Sequence, residues 1–263
     1  MTGEMPRRTL LLLAVAAVLA AQTRQVVVIS HRGEHLHHPE NTIAAYQAAV
    51  DAGADFFETD VRTSSDGKLV IMHNDTVDAR TNGTGAVKDM TLEQIRTLDA
   101  GIKFGAEFAG TKVPTFDEVL DFAHGKIGVY VDTKRASAAD IVAALERHAM
   151  QDHVVVYGGF EYLAQVAALR PRIKVMPESV NATIVKKLIA ELKPQVIAFD
   201  ARDFTDEIIG LAREAKAGIY VDRLGDADRP ELWQDAVDRG ATGIQTDRPA
   251  ELVQFLRSRK LHR

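Results

Sequence analysis

The chain contains no cysteine, which excludes disulfides, thiolate metal centres, thiol nucleophiles and cysteine-linked lipid anchors. Basic charge is not in excess either: 32 Lys and Arg face 37 Asp and Glu, for a formal net charge of −5. No nucleic-acid partner is expected, because phosphate-backbone binding needs a concentrated basic surface. The apolar run Leu10–Ala21 is shorter than the roughly 20 residues that a membrane-spanning helix requires. It follows Arg7 and Arg8 and ends in small residues, the pattern of a secretory leader. The expectation is a signal segment over residues 1–21 and a mature chain over 22–263 that is secreted or periplasmic. A retained N-terminal membrane anchor is the alternative.

What is present is a chain of 263 residues with 46% hydrophobic content, enough for one large domain with a real core. Short β-branched runs start at Val26, Phe56, Leu69, Gly128, Val154, Ile173, Val196, Gly218 and Gly243, and helical patterns separate most of them. That alternation argues for parallel strands covered by helices. It continues to the end without a glycine-rich dinucleotide fingerprint, so the pattern predicts an α/β fold, a TIM (β/α)8 barrel. An open doubly wound sheet is the structural alternative. Nine runs are one too many for eight strands, so one must lie outside a simple barrel. Residues 74–114 break the rhythm with glycine-rich segments, "TNGTGAV" and "AGIKFGAEFAGTKVPTF". They are expected to form a small insertion after an early strand, with a short helix over 92–98.

On a barrel, polar groups at the carboxyl ends of strands face the site. His31 with Arg32, Glu58 with Asp60, His73, and Asp132 with Lys134 occupy such positions. Residues two apart on a strand share a face, so Glu58 and Asp60 point the same way. Three carboxylates converging without cysteine suit one hard divalent cation, Mg²⁺ or Ca²⁺; ordinary salt bridges at a strand end are the alternative. His31 and His73 are candidates for acid–base work near neutral pH. Arg32 offers a planar fork for phosphate or carboxylate, and Lys134 a point charge. His35, His37 and His38 read as solvated or substrate-edge groups. Trp233 reads as packing. Phe104, Phe108 and Phe116 either build a core for the insertion or line the mouth of the site.

The segment "SHRGEHLHHPENTIAAYQAAVDAGADFFETDVRTSSDGKLVIMHND", with "RTNGTGAV", "VPTFDEVL", "VYVDTK" and "GIQTDRP" downstream, resembles the glycerophosphodiester phosphodiesterase family. The resemblance covers essentially the whole mature chain. It implies a TIM barrel with a cap after an early strand, one divalent cation, and cleavage of a small glycerophosphodiester to an alcohol and glycerol 3-phosphate. It casts His31 and His73 as the catalytic pair and Glu58, Asp60 and Asp132 as metal ligands. Arg32 and Lys134 match groups near the phosphate, and Glu40 and Asn41 the loop that shapes the site. An internal attack through a cyclic phosphate is implied.

Three positions depart from that family's pattern. Asn74 stands where aspartate is usual, and Asp132 where glutamate is usual. "IYVDRLGD" replaces a segment that carries a tryptophan beside the glycerol, which brings Tyr220 or Asp222 into that neighbourhood. Asn74 and Tyr220 therefore join the candidate substrate contacts. These departures leave two further readings in view: a phospholipase-like barrel that touches membrane lipid, and a catalytically weak barrel that binds a phosphate ligand.

Overall fold

The computed structural model describes residues 25–263, so the leader expected over residues 1–21 lies outside the described residues. The strands are β1 (Val27–Ser30), β2 (Phe56–Thr63), β3 (Leu69–Ile71), β4 (Gly128–Thr133), β5 (Val154–Tyr157), β6 (Lys174–Met176), β7 (Val196–Phe199), β8 (Gly218–Arg223) and β9 (Gly243–Thr246). Eight of them are parallel neighbours in the order β6-β5-β4-β2-β1-β9-β8-β7. The two ends meet where Glu178, just past β6, bridges to Ala198 of β7. There Ala198 N–H donates to the Pro177 carbonyl at 2.9 Å, and Ser179 N–H to the Ala198 carbonyl at 2.9 Å. The ring so formed is a (β/α)8 barrel.

The strands read as continuous apolar runs because both of their faces are buried. Outward side chains such as Phe57, Val129 and Val131 pack beneath one set of helices, and Val28, Val221 and Ile244 beneath another. Inward side chains Ile29, Tyr130, Val155, Met176 and Val196 fill the barrel's interior. The helices are α1 (Ile43–Ala52), α2 (Leu92–Thr97), α3 (Phe116–Ala123), α4 (Ala138–Arg147), α5 (Phe160–Leu169), α6 (Ala182–Glu191), α7 (Asp206–Glu214), α8 (Pro230–Asp238) and α9 (Pro249–Ser258). Side-chain oxygens of Thr42, Thr91, Thr115, Ser137, Asn181 and Thr205 cap six of them, satisfying first-turn N–H groups that have no partner within the helix.

The supernumerary strand is β3, which pairs antiparallel with β2 and stands outside the ring. A turn from Ser64 to Gly67 reverses the chain, closed by Gly67 N–H on the Ser64 carbonyl at 3.0 Å. Gly67 has φ 76°, a left-handed conformation that glycine adopts without steric cost. His73 therefore does not end a barrel strand, as its apolar run suggested. It reaches the rim at the return of a hairpin, where Met72 N–H donates to the Asp60 carbonyl at 3.0 Å.

Between β3 and α3 the chain builds a small layer with its own apolar cluster, including Val77, Val87, Ile95, Leu98 and Val113. α2 occupies nearly the span expected of the insertion's helix. Phe116 packs in the barrel's outer core. Phe104 and Phe108 lie outside the insertion's cluster and meet edge to face, with ring centroids 5.3 Å apart. Phe104 is 43% exposed.

Candidate active site

At the carboxyl ends of the strands the inward row turns polar, and a cleft opens there. His31, Arg32, Glu58, Asp60, Asp132 and Lys134 all line it. Each arrives by the strand alternation: Glu58 and Asp60 stand on the inner face of β2, and Asp60 is in register with Asp132 of β4. The ligand oxygens of Glu58, Asp60 and Asp132 lie within 4.8 Å of one another.

Their supports are built locally. Arg32 (φ 54°) and Gly33 (φ 78°) are both left-handed, which folds the chain back so that Arg32 N–H donates to Glu58 Oε2 at 2.9 Å. A side chain at Gly33 would put its Cβ 2.7 Å from the Ala45 backbone, so the glycine lets this turn sit against α1. Asn41 lies beneath the cleft rather than on its wall, 5% exposed. Its Nδ2 donates to Asp60 Oδ2 at 2.7 Å, while its Oδ1 accepts from the Tyr46 hydroxyl at 3.0 Å and from Asp60 N–H at 3.3 Å. Lys134 Nζ stands 2.6 Å from Asp132 Oδ2 and 3.2 Å from Asp60 Oδ1. Arg32 reaches Asp60 at 3.5 Å and Glu40 at 3.3 Å.

Burial pushes the Glu58 carboxyl well above the usual range, and the Asp60 and Asp132 charges push it further. Burial also raises Asp132, against the pull of Lys134. For Lys134, burial works downward, but Asp132 and Asp60 outweigh it and hold the ammonium above its ordinary value. Three crowded carboxylates with oxygen-only donors fit a hard divalent cation, whose charge would relieve the repulsion.

His31 is oriented from the neighbouring strand, since Asp247 directly follows β9, which pairs with β1. Its Nδ1 pairs with Asp247 Oδ1 at 2.8 Å, and His35 Nε2 approaches the same oxygen at 2.8 Å. Gly225 N–H donates to Asp247 Oδ2 at 2.9 Å. Burial alone would raise Asp247, but the His31, His35 and Gly225 hydrogen bonds hold it well below the carboxylate range. An ionised Asp247 assigns the His31 proton to Nδ1 and leaves Nε2 free to accept. Burial, helped by the Arg32 charge, also holds the His31 imidazole below its ordinary value, against the upward pull of Asp247.

Asp228 stands behind Asp247. It accepts from Asp247 N–H at 2.6 Å, from the Thr246 hydroxyl at 2.7 Å and from Trp233 Nε1 at 2.7 Å. Trp233 is thus a packing residue, 1% exposed, that also fixes the carboxylate beneath the histidine's partner. Trp233→Phe is expected to cost about 2–3 kcal/mol in denaturant unfolding and to lower kcat/KM about tenfold by loosening Asp247. Unchanged turnover in a destabilised variant would show that Trp233 only packs.

His73 lines an adjoining cleft with Glu40, Arg80 and Pro114 rather than the one that holds His31, although its charge is close enough to lower Asp132. Asn74 is exposed, with Oδ1 3.3 Å from His73 Nδ1. Glu40 pairs with Arg80 at 3.0 Å as well as with Arg32. Tyr220 packs within the barrel's interior, and Asp222 two residues later reaches the cleft. Burial, with the Asp200 and Glu178 charges, pushes Asp222 up to about 7.

Asp247, Asp228, Glu178 and Gln245 escaped the sequence reading. Asp247 was within reach of it, since Gly243, Gln245 and Asp247 continue the inward alternation of β9. No helix among the described residues is long and apolar enough to cross a membrane.

The family model described as "Glycerophosphoryl diester phosphodiesterase family" matches residues 31–251. A glycerophosphodiester phosphodiesterase of Caldanaerobacter subterraneus is 34% identical over 243 residues, covering 89% of this chain and 98% of that protein. The crystal structure of a glycerophosphodiester phosphodiesterase from Agrobacterium tumefaciens is 31% identical, with a TM-score of 0.78 over 87% of this chain and 99% of that one. An Oleispira antarctica phosphodiesterase, solved in complex with the product sn-glycerol-3-phosphate, shares the fold: TM-score 0.81 at 23% identity, over 89% of this chain and 97% of that one. The chain belongs to the glycerophosphoryl diester phosphodiesterase family and is an enzyme of the phosphoric diester hydrolase class.

Proposed function

We propose that the chain hydrolyses a small glycerophosphodiester to an alcohol and glycerol 3-phosphate, with one Mg²⁺ or Ca²⁺ held by Glu58, Asp60 and Asp132. The observation that carries this reading is the meeting of those three carboxylates in one cleft with an oriented His31. A cation held by these carboxylates would supply charge neutralisation and Lewis-acid polarisation at the phosphate.

The chain's own residues do the rest. Arg32 and Lys134 lie against the phosphate and offset charge that grows on its oxygens. His31 Nε2 takes the proton of the glycerol hydroxyl as that oxygen attacks phosphorus. The bond to the alcohol oxygen breaks, and His73 protonates that leaving group. Water then opens the cyclic phosphate, with the proton roles of the two histidines reversed. His31 is assigned as the first base because Asp247 occupies its Nδ1 and burial favours the neutral ring. Glu40 and Asn41 act through Arg32 and Asp60, and Asn74 through His73. The Arg7–Ala21 leader supports export to the periplasm or medium.

Calorimetry should show about one equivalent of Mg²⁺ or Ca²⁺ bound, lost in Asp60→Asn, with turnover abolished by EDTA and restored by the metal. Metal-independent turnover would contradict the reading. A second reading, an intact or lyso lipid substrate, draws on the exposed Ile102 and Phe104 beside Lys103. Faster turnover of lysolipids than of deacylated diesters would favour it.

A further inference from the structure

Arg62 follows Glu58 and Asp60 at alternate positions of β2, so the strand presents all three on one face. It is buried, 8% exposed, and turns to the segment that carries His73. Its Nε donates to the Met72 carbonyl at 2.9 Å and to the His73 carbonyl at 3.2 Å. Nη2 donates to the His73 carbonyl at 2.5 Å, and Nη1 to Asp75 Oδ1 at 2.5 Å. The guanidinium thus grips the chain on both sides of the His73–Asn74 pair.

Little else holds that segment. His73 lies past the end of β3 and in no helix, and no backbone N–H among the described residues donates to the Met72 or His73 carbonyl. The ring is weakly braced as well. His31 has the carboxylate of Asp247 at 2.8 Å, whereas His73 Nδ1 meets the neutral amide oxygen of Asn74 at 3.3 Å. Hydrogen bonds to an ionised partner are roughly twice as strong as neutral ones. Where His73 stands is therefore decided by its backbone, and its backbone by Arg62.

The residue type suits the task. Nε, Nη1 and Nη2 engage their acceptors at once, which calls for a planar fork that a lysine ammonium does not offer. Taking a guanidinium out of water costs about as much as its pairing returns, so the arginine adds placement more than stability. Met72 N–H also returns to the Asp60 carbonyl at 3.0 Å. The histidine is tied in this way to the strand that carries two of the three carboxylates.

We propose that Arg62 is a positioning residue for the proton transfer to the departing alcohol. By holding the Met72 and His73 carbonyls it fixes the distance between the His73 imidazole and the Glu58–Asp60–Asp132 wall. The inference rests on the assignment of His73 as acid in the diesterase reading above. In that step the glycerol oxygen bonds to phosphorus and the bond from phosphorus to the alcohol oxygen breaks. The electron pair stays with the alcohol oxygen, which takes the proton from His73.

The test compares two leaving groups on the same glycerol phosphate. Ethanolamine departs as an alkoxide that needs a proton, and p-nitrophenol as a phenolate that needs none. With the metal bound, kcat/KM is read from release of the leaving group, so that only the first displacement counts. In Arg62→Lys the value for ethanolamine is expected to fall about 10²-fold and that for nitrophenol less than about threefold. The ratio of the two within one protein is insensitive to the fraction that folds. Equal losses on both substrates, or no loss on either, overturn the proposal.

His73→Ala separates this inference from the reading beneath it. A selective loss there with none in Arg62→Lys overturns the positioning role alone, and no selective loss in either variant overturns the acid assignment as well. A selective loss confined to Arg62→Lys also overturns the proposal, because the effect would not pass through the histidine. If neither diester turns over, the diesterase reading falls, and the His73 Cε1–H signal in NMR, identified by its absence from His73→Ala, decides for Arg62. It should shift or broaden in Arg62→Lys while the His31 signal holds its place. An unmoved His73 signal overturns the proposal.

Discussion

His31→Ala is expected to lower kcat by about 10²–10⁴-fold, the range for loss of a general base, with little change in KM. The imidazole's position explains the size. Its Nδ1 is fixed by Asp247 at 2.8 Å, and Asp247 is held in turn by Gly225 N–H and by Asp228. The ring is therefore held in one tautomer and one orientation. Because burial lowers the His31 value, the acid limb of the kcat/KM profile should fall below the usual histidine range of about 6.5. Asp247→Asn should be nearly as damaging, since an amide no longer dictates which ring nitrogen carries the proton. A loss below tenfold in His31→Ala would remove this histidine from the proton-transfer steps.

Glu58→Gln is expected to act in opposite directions on activity and on stability. Without a full carboxylate set, turnover should fall about 10³-fold, as removal of a Lewis acid implies. The metal-free variant, however, should be more stable than the natural chain by about 1–3 kcal/mol at pH 8, because a buried repelling charge is gone. The Arg32 N–H to Glu58 bond survives, since a glutamine oxygen accepts it equally. The pH dependence has a definite sign. The folded-state value of Glu58 is raised above the unfolded value, which is about 4.3. Its contribution to stability is fully present below that unfolded value and is lost as pH rises through the folded one. Thermal melts of the metal-free protein should thus decline as pH rises above about 4, with a flatter curve for Glu58→Gln. Mg²⁺ or Ca²⁺ should raise the melting temperature of the natural chain at pH 8 and leave the variant's nearly unmoved. Equal slopes, or a variant less stable without metal, would contradict the crowding of charge described here.

Much of this architecture was legible in the amino-acid order, for a physical reason. Strands buried on both faces produce apolar runs, and the point where such a run ends in a polar residue marks the rim of the barrel. That rule located His31, Glu58, Asp60 and Asp132. It misplaced His73, because an antiparallel hairpin strand and a barrel strand leave the same apolar signature over three residues, and only pairing tells β3 from its neighbours. The supports of the site were less accessible. Asp247 meets His31 across 216 positions, and Trp233 reaches Asp228 from a helix whose pattern reads as packing alone. Asn41 resembles a rim residue in sequence, yet the left-handed turn at φ 59° carries it beneath Asp60. Glu178 and Gln245 gain meaning only from closure of the ring, which brings β6 to β7 and sets β9 beside β8. Contacts of that kind depend on register, which composition and spacing do not encode.

The most direct test of the central claim is a ³¹P NMR time course of metal-loaded protein with glycerophosphoethanolamine. The account predicts that the diester signal gives way to glycerol 3-phosphate alone, that EDTA halts the conversion, and that His31→Ala slows it at least about a hundredfold. A diester signal that persists in the presence of Mg²⁺ and Ca²⁺, or one replaced by phosphoethanolamine, would contradict it.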